Sequence, residues 1–185
     1  MTADWNKVWQ ERGDEELTPD SWLIKVLPLL PPGRVLDVAC GRGRNALLMA
    51  EKGYAVTAVD GSEEGLSRLK NEARQRGLTI DLRRQDLEAR AELPEEGFDV
   101  VLQFFYLQRS LFPTLMRSVR PGGVAVVRTF SHAGPWPGGP GHPEYALEEG
   151  ELPRIFAGWE ILLHEEGLEP AHRGGSMAGI VARRP

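Results

Sequence analysis

One cysteine, Cys40, is present, so no intramolecular disulfide can form, and the Cys/His spacings of zinc sites are missing. No apolar stretch approaches the roughly 20 residues that cross a bilayer. The opening residues, Met1-Thr2-Ala3-Asp4-Trp5, lack a basic segment followed by an apolar one. These absences predict a cytoplasmic protein without a metal and without a membrane partner. A clustered basic face is lacking too: the net charge is -5 and the arginines are scattered. That argues against a nucleic-acid footprint and for a small-molecule partner. With 185 residues and 41% hydrophobic composition, the chain has room for one well-cored domain, 1–185, and not for two.

What is present is concentrated in residues 35–53, VLDVACGRGRNALLMAEKG: a short apolar strand, a glycine turn and a helix closed by glycine. Gly41 and Gly43 lack a Cβ, so the chain can turn sharply and let a ligand approach the backbone. The helix then points its N-terminus at the same spot. Asp60 ends the next apolar run, Ala55–Val59, beside this turn, where a carboxylate can accept hydrogen bonds from ribose hydroxyls. It stands nineteen positions after Gly41 but fourteen after Ala46. A dinucleotide reader has its acid roughly 20 residues beyond the whole motif. Asp37 discriminates further, because an ionised carboxylate inside an apolar strand is costly unless a cation or several donors meet it. A pyrophosphate supplies no positive charge; S-adenosylmethionine carries an ammonium and a sulfonium. A structural Asp37 bonded to the loop's own N–H groups is the competing reading.

These residues make the chain similar to the class I S-adenosylmethionine-dependent methyltransferases. Further motifs follow in order: Gln85-Asp86-Leu87, Phe98-Asp99-Val100-Val101 and Arg120-Pro121-Gly122-Gly123. Ala39 departs from the pattern, standing where the family usually has glycine. Within the family, C-G-R-G-R-N at 40–45, E-E-G-E-L at 148–152, G-W-E at 158–160, His172-Arg173 and Val181-Ala182-Arg183 resemble the small tellurite-resistance methyltransferases. The resemblance implies S-adenosylmethionine as cofactor, S-adenosylhomocysteine as product, and a small acceptor such as a thiol or a chalcogen oxyanion, tellurite or selenite. It implies a cofactor site of Asp37, Ala39, Gly41, Gly43, Asp60, Gly61, Asp86, Leu87 and Gln103, with Asp86 accepting from the adenine amino group and the Leu87 N–H meeting a ring nitrogen. Gln103 can hold either cofactor or acceptor. His172 and Arg173 fall on the acceptor side, as a base and an oxyanion-binding fork.

Helices alternate with strands, the pattern of a mostly parallel sheet covered on both faces, an α/β Rossmann-like three-layer sandwich. Thr18 is expected to cap a helix running to about Leu30. Strands are expected at Arg34–Val38, Ala55–Val59, Thr79–Arg83, Phe98–Phe104 and Val124–Phe130, with helices at Arg44–Lys52, from Ser62 to Gly77, and near Leu111–Val119 and Glu149–Phe156. Trp159–Glu165 and Met177–Arg183 complete seven strands. The resemblance supplies their order, 3-2-1-4-5-7-6, with an antiparallel C-terminal strand. Residues 131–143, SHAGPWPGGPGHP, form a Pro/Gly-rich loop that is either a lid or disordered. Residues 1–32 hold an N-terminal flap and helix, in which Trp5-Asn6 and Trp9 resemble a family motif lying over the cofactor. Two other functions remain open: a nicotinamide-dependent reductase, supported by G-x-G-x-x-A at 41–46, and a non-catalytic cofactor-binding protein.

Overall fold

The computed structural model describes residues 4–11, 17–95, 97–168 and 174–185. Seven strands form one sheet in the order β3-β2-β1-β4-β5-β7-β6. Strands β1 and β2, β2 and β3, and β4 and β5 pair in parallel, while β7 runs antiparallel to both β5 and β6. The expected α/β architecture and strand order are both found. By compactness the chain divides into two units, residues 1–92 and 93–185. Among the described residues no helix is long and apolar enough to cross a membrane.

In the first unit, β1 (Arg34–Val38) and β2 (Ala55–Asp60) are buried from their second residue onward, as parallel strands covered on both faces must be. Helix α1 spans Trp5–Glu11, and α2 spans Ser21–Val26. Asp20, not Thr18, caps α2, its Oδ1 accepting from the Trp22 N–H at 2.9 Å. Pro28 cannot donate to an α-helical ladder, so the chain tightens into a 3-10 turn at Leu27–Leu29, earlier than expected. Helix α3 (Arg44–Glu51) follows the glycine turn, and α4 (Glu63–Gln75) starts on Ser62, whose Oγ accepts from the Gly65 N–H. Leu66, Leu69 and Ala73 of α4 are buried. Gly77, at φ +67°, stops the helix while Leu78 N–H bonds back to the Ala73 carbonyl, a left-handed C-terminal cap. Strand β3 (Ile80–Arg84) is half-exposed.

The second unit holds β4 (Phe98–Phe104), α5 (Phe112–Ser118), β5 (Val119–Phe130), α6 (Glu151–Ile155), β6 (Glu160–Leu168) and β7 (Met177–Arg183). Strand β5 begins five residues earlier than the expected Val124. Pro121-Gly122-Gly123 sits inside the paired region as an irregularity, with Phe98 facing Val119 and then Val100 facing Val124. A Cβ on Gly123 would meet the Phe98 and Asp99 carbonyl oxygens at 2.9 Å, which is why glycine stands there. The Pro/Gly-rich segment 131–143 is seated against β6 and the approach to β7. Trp136 donates from its backbone N–H to Ser176 Oγ at 3.2 Å and from its indole to the Gly167 carbonyl at 3.3 Å. Gly138 bridges to Gly174, and Gly175 N–H donates to the Pro137 carbonyl.

Candidate functional site

The turn after β1 runs over residues 39–43. Ala39, Gly41 and Gly43 all have positive φ, at +54°, +57° and +76°. Cys40 N–H donates to the Val59 carbonyl, and Gly43 N–H to that of Cys40. A Cβ on Gly43 would strike Leu69 of α4 at 2.3 Å, so this glycine serves close packing as well as turning. Asp60 closes the structure from β2. Its Oδ2 accepts from Gly41 N–H and its Oδ1 from Ser62 N–H, each at 2.7 Å. A carboxylate offers about four acceptor positions, so both oxygens keep capacity for a diol. Burial raises the Asp60 carboxyl, opposed by these two N–H donors.

Asp37 is the unusual group. It is 2% exposed, and its Oδ2 is buried without a hydrogen-bond partner. Burial first, and the charge of Asp60 second, push its carboxyl up to about 7; the Ala46 N–H and Arg44 pull the other way. A buried acceptor left unmatched costs about 1 to 3 kcal/mol, and an ammonium donor would remove that cost. The cationic end of an S-adenosylmethionine-like ligand therefore fits what this side chain lacks. The backbone donor that Asp37 does meet, the Ala46 N–H, belongs to helix α3 and not to the turn. Burial, with Asp37 and Asp60 nearby, pushes the Cys40 thiol well up, which makes it a filler and a poor nucleophile.

Gly61 and Asp86 lie close together: a Cβ on Gly61 would stand 3.4 Å from the Gln85 carbonyl oxygen, and Gln85 N–H donates to the Asp60 carbonyl. Asp86 Oδ1 accepts from the Glu88 and Ala89 N–H groups, so it caps the following turn, and Leu87 is buried. In the second unit Gln103 is wholly buried. Its Nε2 donates to the Tyr106 carbonyl at 2.9 Å, while its Oε1 has no partner. His172 and Arg173 lie outside the described residues.

Asn6 and Trp9, expected from the resemblance to belong to a flap over the cofactor, make contacts within the first unit whose partners the sequence did not specify. Asn6 Oδ1 accepts from Ser62 Oγ–H at 2.8 Å and from Glu64 N–H at 3.1 Å, doubling the cap of α4. The Trp9 ring covers Gly41, so a Cβ there would fall 2.7 Å from Trp9 Cζ2. Gly65, a glycine inside a helix, was the available signal: its missing Cβ leaves room for the Gly41 carbonyl and Trp9.

The fold is a Rossmann-like α/β domain with a glycine turn after β1 that is held by Asp60. Residues 35–123 match the family described as "Methyltransferase domain". The chain is similar to the class I S-adenosylmethionine-dependent methyltransferases and has their sheet order. Among its relatives is the "Probable S-adenosyl-L-methionine-dependent methyltransferase TehB" of Haemophilus influenzae, 26% identical over 162 residues, which are 82% of this chain and 54% of TehB. The crystal structure of TehB from that organism superimposes with a TM-score of 0.81 at 21% identity, covering 98% of this chain and 67% of that one. A trans-aconitate 2-methyltransferase of Paracidovorax citrulli is 32% identical over 133 residues, 68% of this chain and 50% of its own. The chain spans about half the length of the curated relatives it matches.

Proposed function

We propose that this chain, working as one domain over residues 1–185 in the cytoplasm, transfers the methyl group of S-adenosylmethionine to a small molecule. The observation that carries this reading is the buried, unpartnered Oδ2 of Asp37 beside a glycine turn pinned by Asp60. Asp37, with the backbone of Ala39, Gly41 and Gly43, would hold the amino-acid end of the cofactor. Asp60 and Gly61 would take the ribose, and Asp86 and Leu87 the adenine. Gln103 would offer its carbonyl oxygen to the cofactor or the acceptor. The cofactor supplies an activated methyl on a positively charged sulfur; the chain's part is to orient it and keep water out. His172 and Arg173 are proposed for the acceptor side, and the resemblance of the sequence motifs to the small tellurite-resistance methyltransferases makes a thiol or a chalcogen oxyanion the candidate acceptor.

Calorimetry with S-adenosylmethionine, S-adenosylhomocysteine and NADH tests the reading. Binding of the first two and not the third is expected. Tight NADH binding alone would replace it with the reductase reading, which rests on the glycine motif at 41–46. Binding without turnover of any acceptor would favour the non-catalytic alternative.

A further inference from the structure

Strand β6, at the edge of the sheet, carries His164 and Glu166 two positions apart and therefore on one face. His164 Nε2 lies 3.7 Å from Glu166 Oε1, and the two side chains are 23% and 19% exposed. That separation is too long for a hydrogen bond, and Nε2 is buried without a hydrogen-bond partner. Glu166 turns both oxygens to the Gly150 N–H, at 2.9 and 3.1 Å. Gly150 is the cap of α6 and has no side chain to offer the helix end. The strand thus supplies the carboxylate that the cap itself lacks, and negative charge is favourable at a helix N-terminus.

Neither neutral form of the imidazole suits this place. With the proton on Nδ1, the Nε2 lone pair faces a carboxylate; with the proton on Nε2, a buried N–H falls short of its acceptor. The imidazolium does suit it, because Nε2–H and Glu166 then make a charge-assisted bond, the stronger kind. Glu166 Oε1 keeps acceptor capacity after sharing one N–H. Among the described residues Glu166 is the one carboxylate within 4 Å of a His164 ring nitrogen. From β7 the residue opposite is the apolar Ile180, and Glu165 points to the other face of β6. Around α6, Glu151 is taken by Arg109 and the Glu148 N–H, and Arg154 by the Glu149 carbonyl. His142 and Glu144 make a contrast: they too are 3.7 Å apart, but at 65% and 62% exposure water screens them.

The segment held here also borders the end of β5. Leu147, three residues before the cap, donates its N–H to the Phe130 carbonyl and accepts from the His132 N–H, each at 2.8 Å. We infer that His164 and Glu166 form a proton-operated latch on the N-terminus of α6. The imidazolium closes on Glu166 and fixes the carboxylate that holds Gly150; loss of the proton loosens that hold. The latch closes as pH falls through the range in which imidazole takes up its proton, and opens as pH rises. It lies within the second unit and is independent of the methyltransferase reading.

The test uses the full chain, labelled with ¹⁵N and titrated by NMR from about pH 5 to about pH 8, with the His164 ring assigned through its backbone. The Gly150 amide shift is expected to follow the His164 titration with the same midpoint. Its hydrogen-exchange protection, taken relative to the Val126 amide of β5 at each pH, should rise about tenfold from the upper to the lower limit, the worth of one hydrogen bond to a charged group. In His164→Asn both dependences should vanish. Glu166→Gln keeps an acceptor without its charge, so His164 should titrate there while Gly150 gains no protection; this variant carries the test should His164→Asn fail to fold. His142→Asn should match wild type. The latch is overturned if His164 titrates while Gly150 stays unchanged, if the ring takes up no proton in this range, or if the Gly150 dependence survives in either latch variant.

Discussion

Single residues carry most of what is specific here, and two of them can be separated by substitution. Ala39 holds a left-handed backbone at φ +54°, which costs an L-residue about 1 to 2 kcal/mol. Replacing it by glycine should raise the stability of the free protein by about 1 kcal/mol, allowing for the greater chain entropy of glycine; urea unfolding would read this as a higher midpoint at unchanged slope. An unchanged or lower midpoint would mean that the turn is not strained. Asp60 behaves in the opposite sense. Asp60→Ala leaves the Gly41 and Ser62 N–H groups without their acceptor and removes the expected ribose contact. We expect cofactor affinity to fall by about 1 to 3 kcal/mol, with a lower melting temperature. Retained affinity by calorimetry would count against the ribose assignment. Both acids were legible in the sequence, since an aspartate inside or ending an apolar strand is conspicuous. The strain at Ala39 was not, because a dihedral angle is imposed by the closed turn and leaves no trace in composition.

At the scale of elements, legibility followed the range of the contacts that fix each one. Strand β7 and the end of α4 were found where expected, because apolar runs and a terminal glycine act locally. The start of α2 was misplaced by two residues: Thr18, Asp20 and Ser21 all suit a cap, and Asp20 prevails through its bond to Trp22. Residues 131–143, expected as a Pro/Gly-rich loop, lie against residues 167, 174 and 175 through Trp136 and close glycine contacts. The seating of α1 on α4 depends on Asn6 meeting Ser62, fifty-six positions away, a pairing that no local pattern announces. This packing yields a prediction contrary to helix propensity. Glycine to alanine inside a helix ordinarily gains about 1 kcal/mol. At Gly65 the added Cβ would lie 2.9 Å from the Gly41 carbonyl oxygen and 3.3 Å from Trp9. Gly65→Ala should therefore lower the melting temperature and weaken S-adenosylmethionine binding together. A gain in stability would show that α1 yields easily and contributes little to the site.

For the molecule as a whole, the sheet places one acid inside β1 and another at the end of β2, and their burial couples folding, ligand binding and pH. Asp37 has its carboxyl raised from the ordinary 3.8 to about 7, by burial first and by Asp60 second. Because the folded value lies above the unfolded one, the native state binds more protons between them. The contribution of Asp37 to stability is then complete below about pH 4 and is lost as pH rises towards 7, a change of about 4 kcal/mol. Glu151, held low by Arg109, works with the opposite sign, so the informative quantity is the difference between wild type and Asp37→Asn. That variant should equal wild type near pH 4 and exceed it by a growing margin up to pH 8. Cofactor binding runs the other way. An ammonium paired with Asp37 needs the carboxylate, so S-adenosylmethionine should bind with release of a proton below pH 7, its affinity rising up to tenfold per pH unit and levelling above. Titration calorimetry in buffers of different ionisation enthalpy counts that proton directly. If none is released at pH 6, Asp37 does not meet a cation in the complex, and the electrostatic basis for choosing this cofactor over a pyrophosphate is gone.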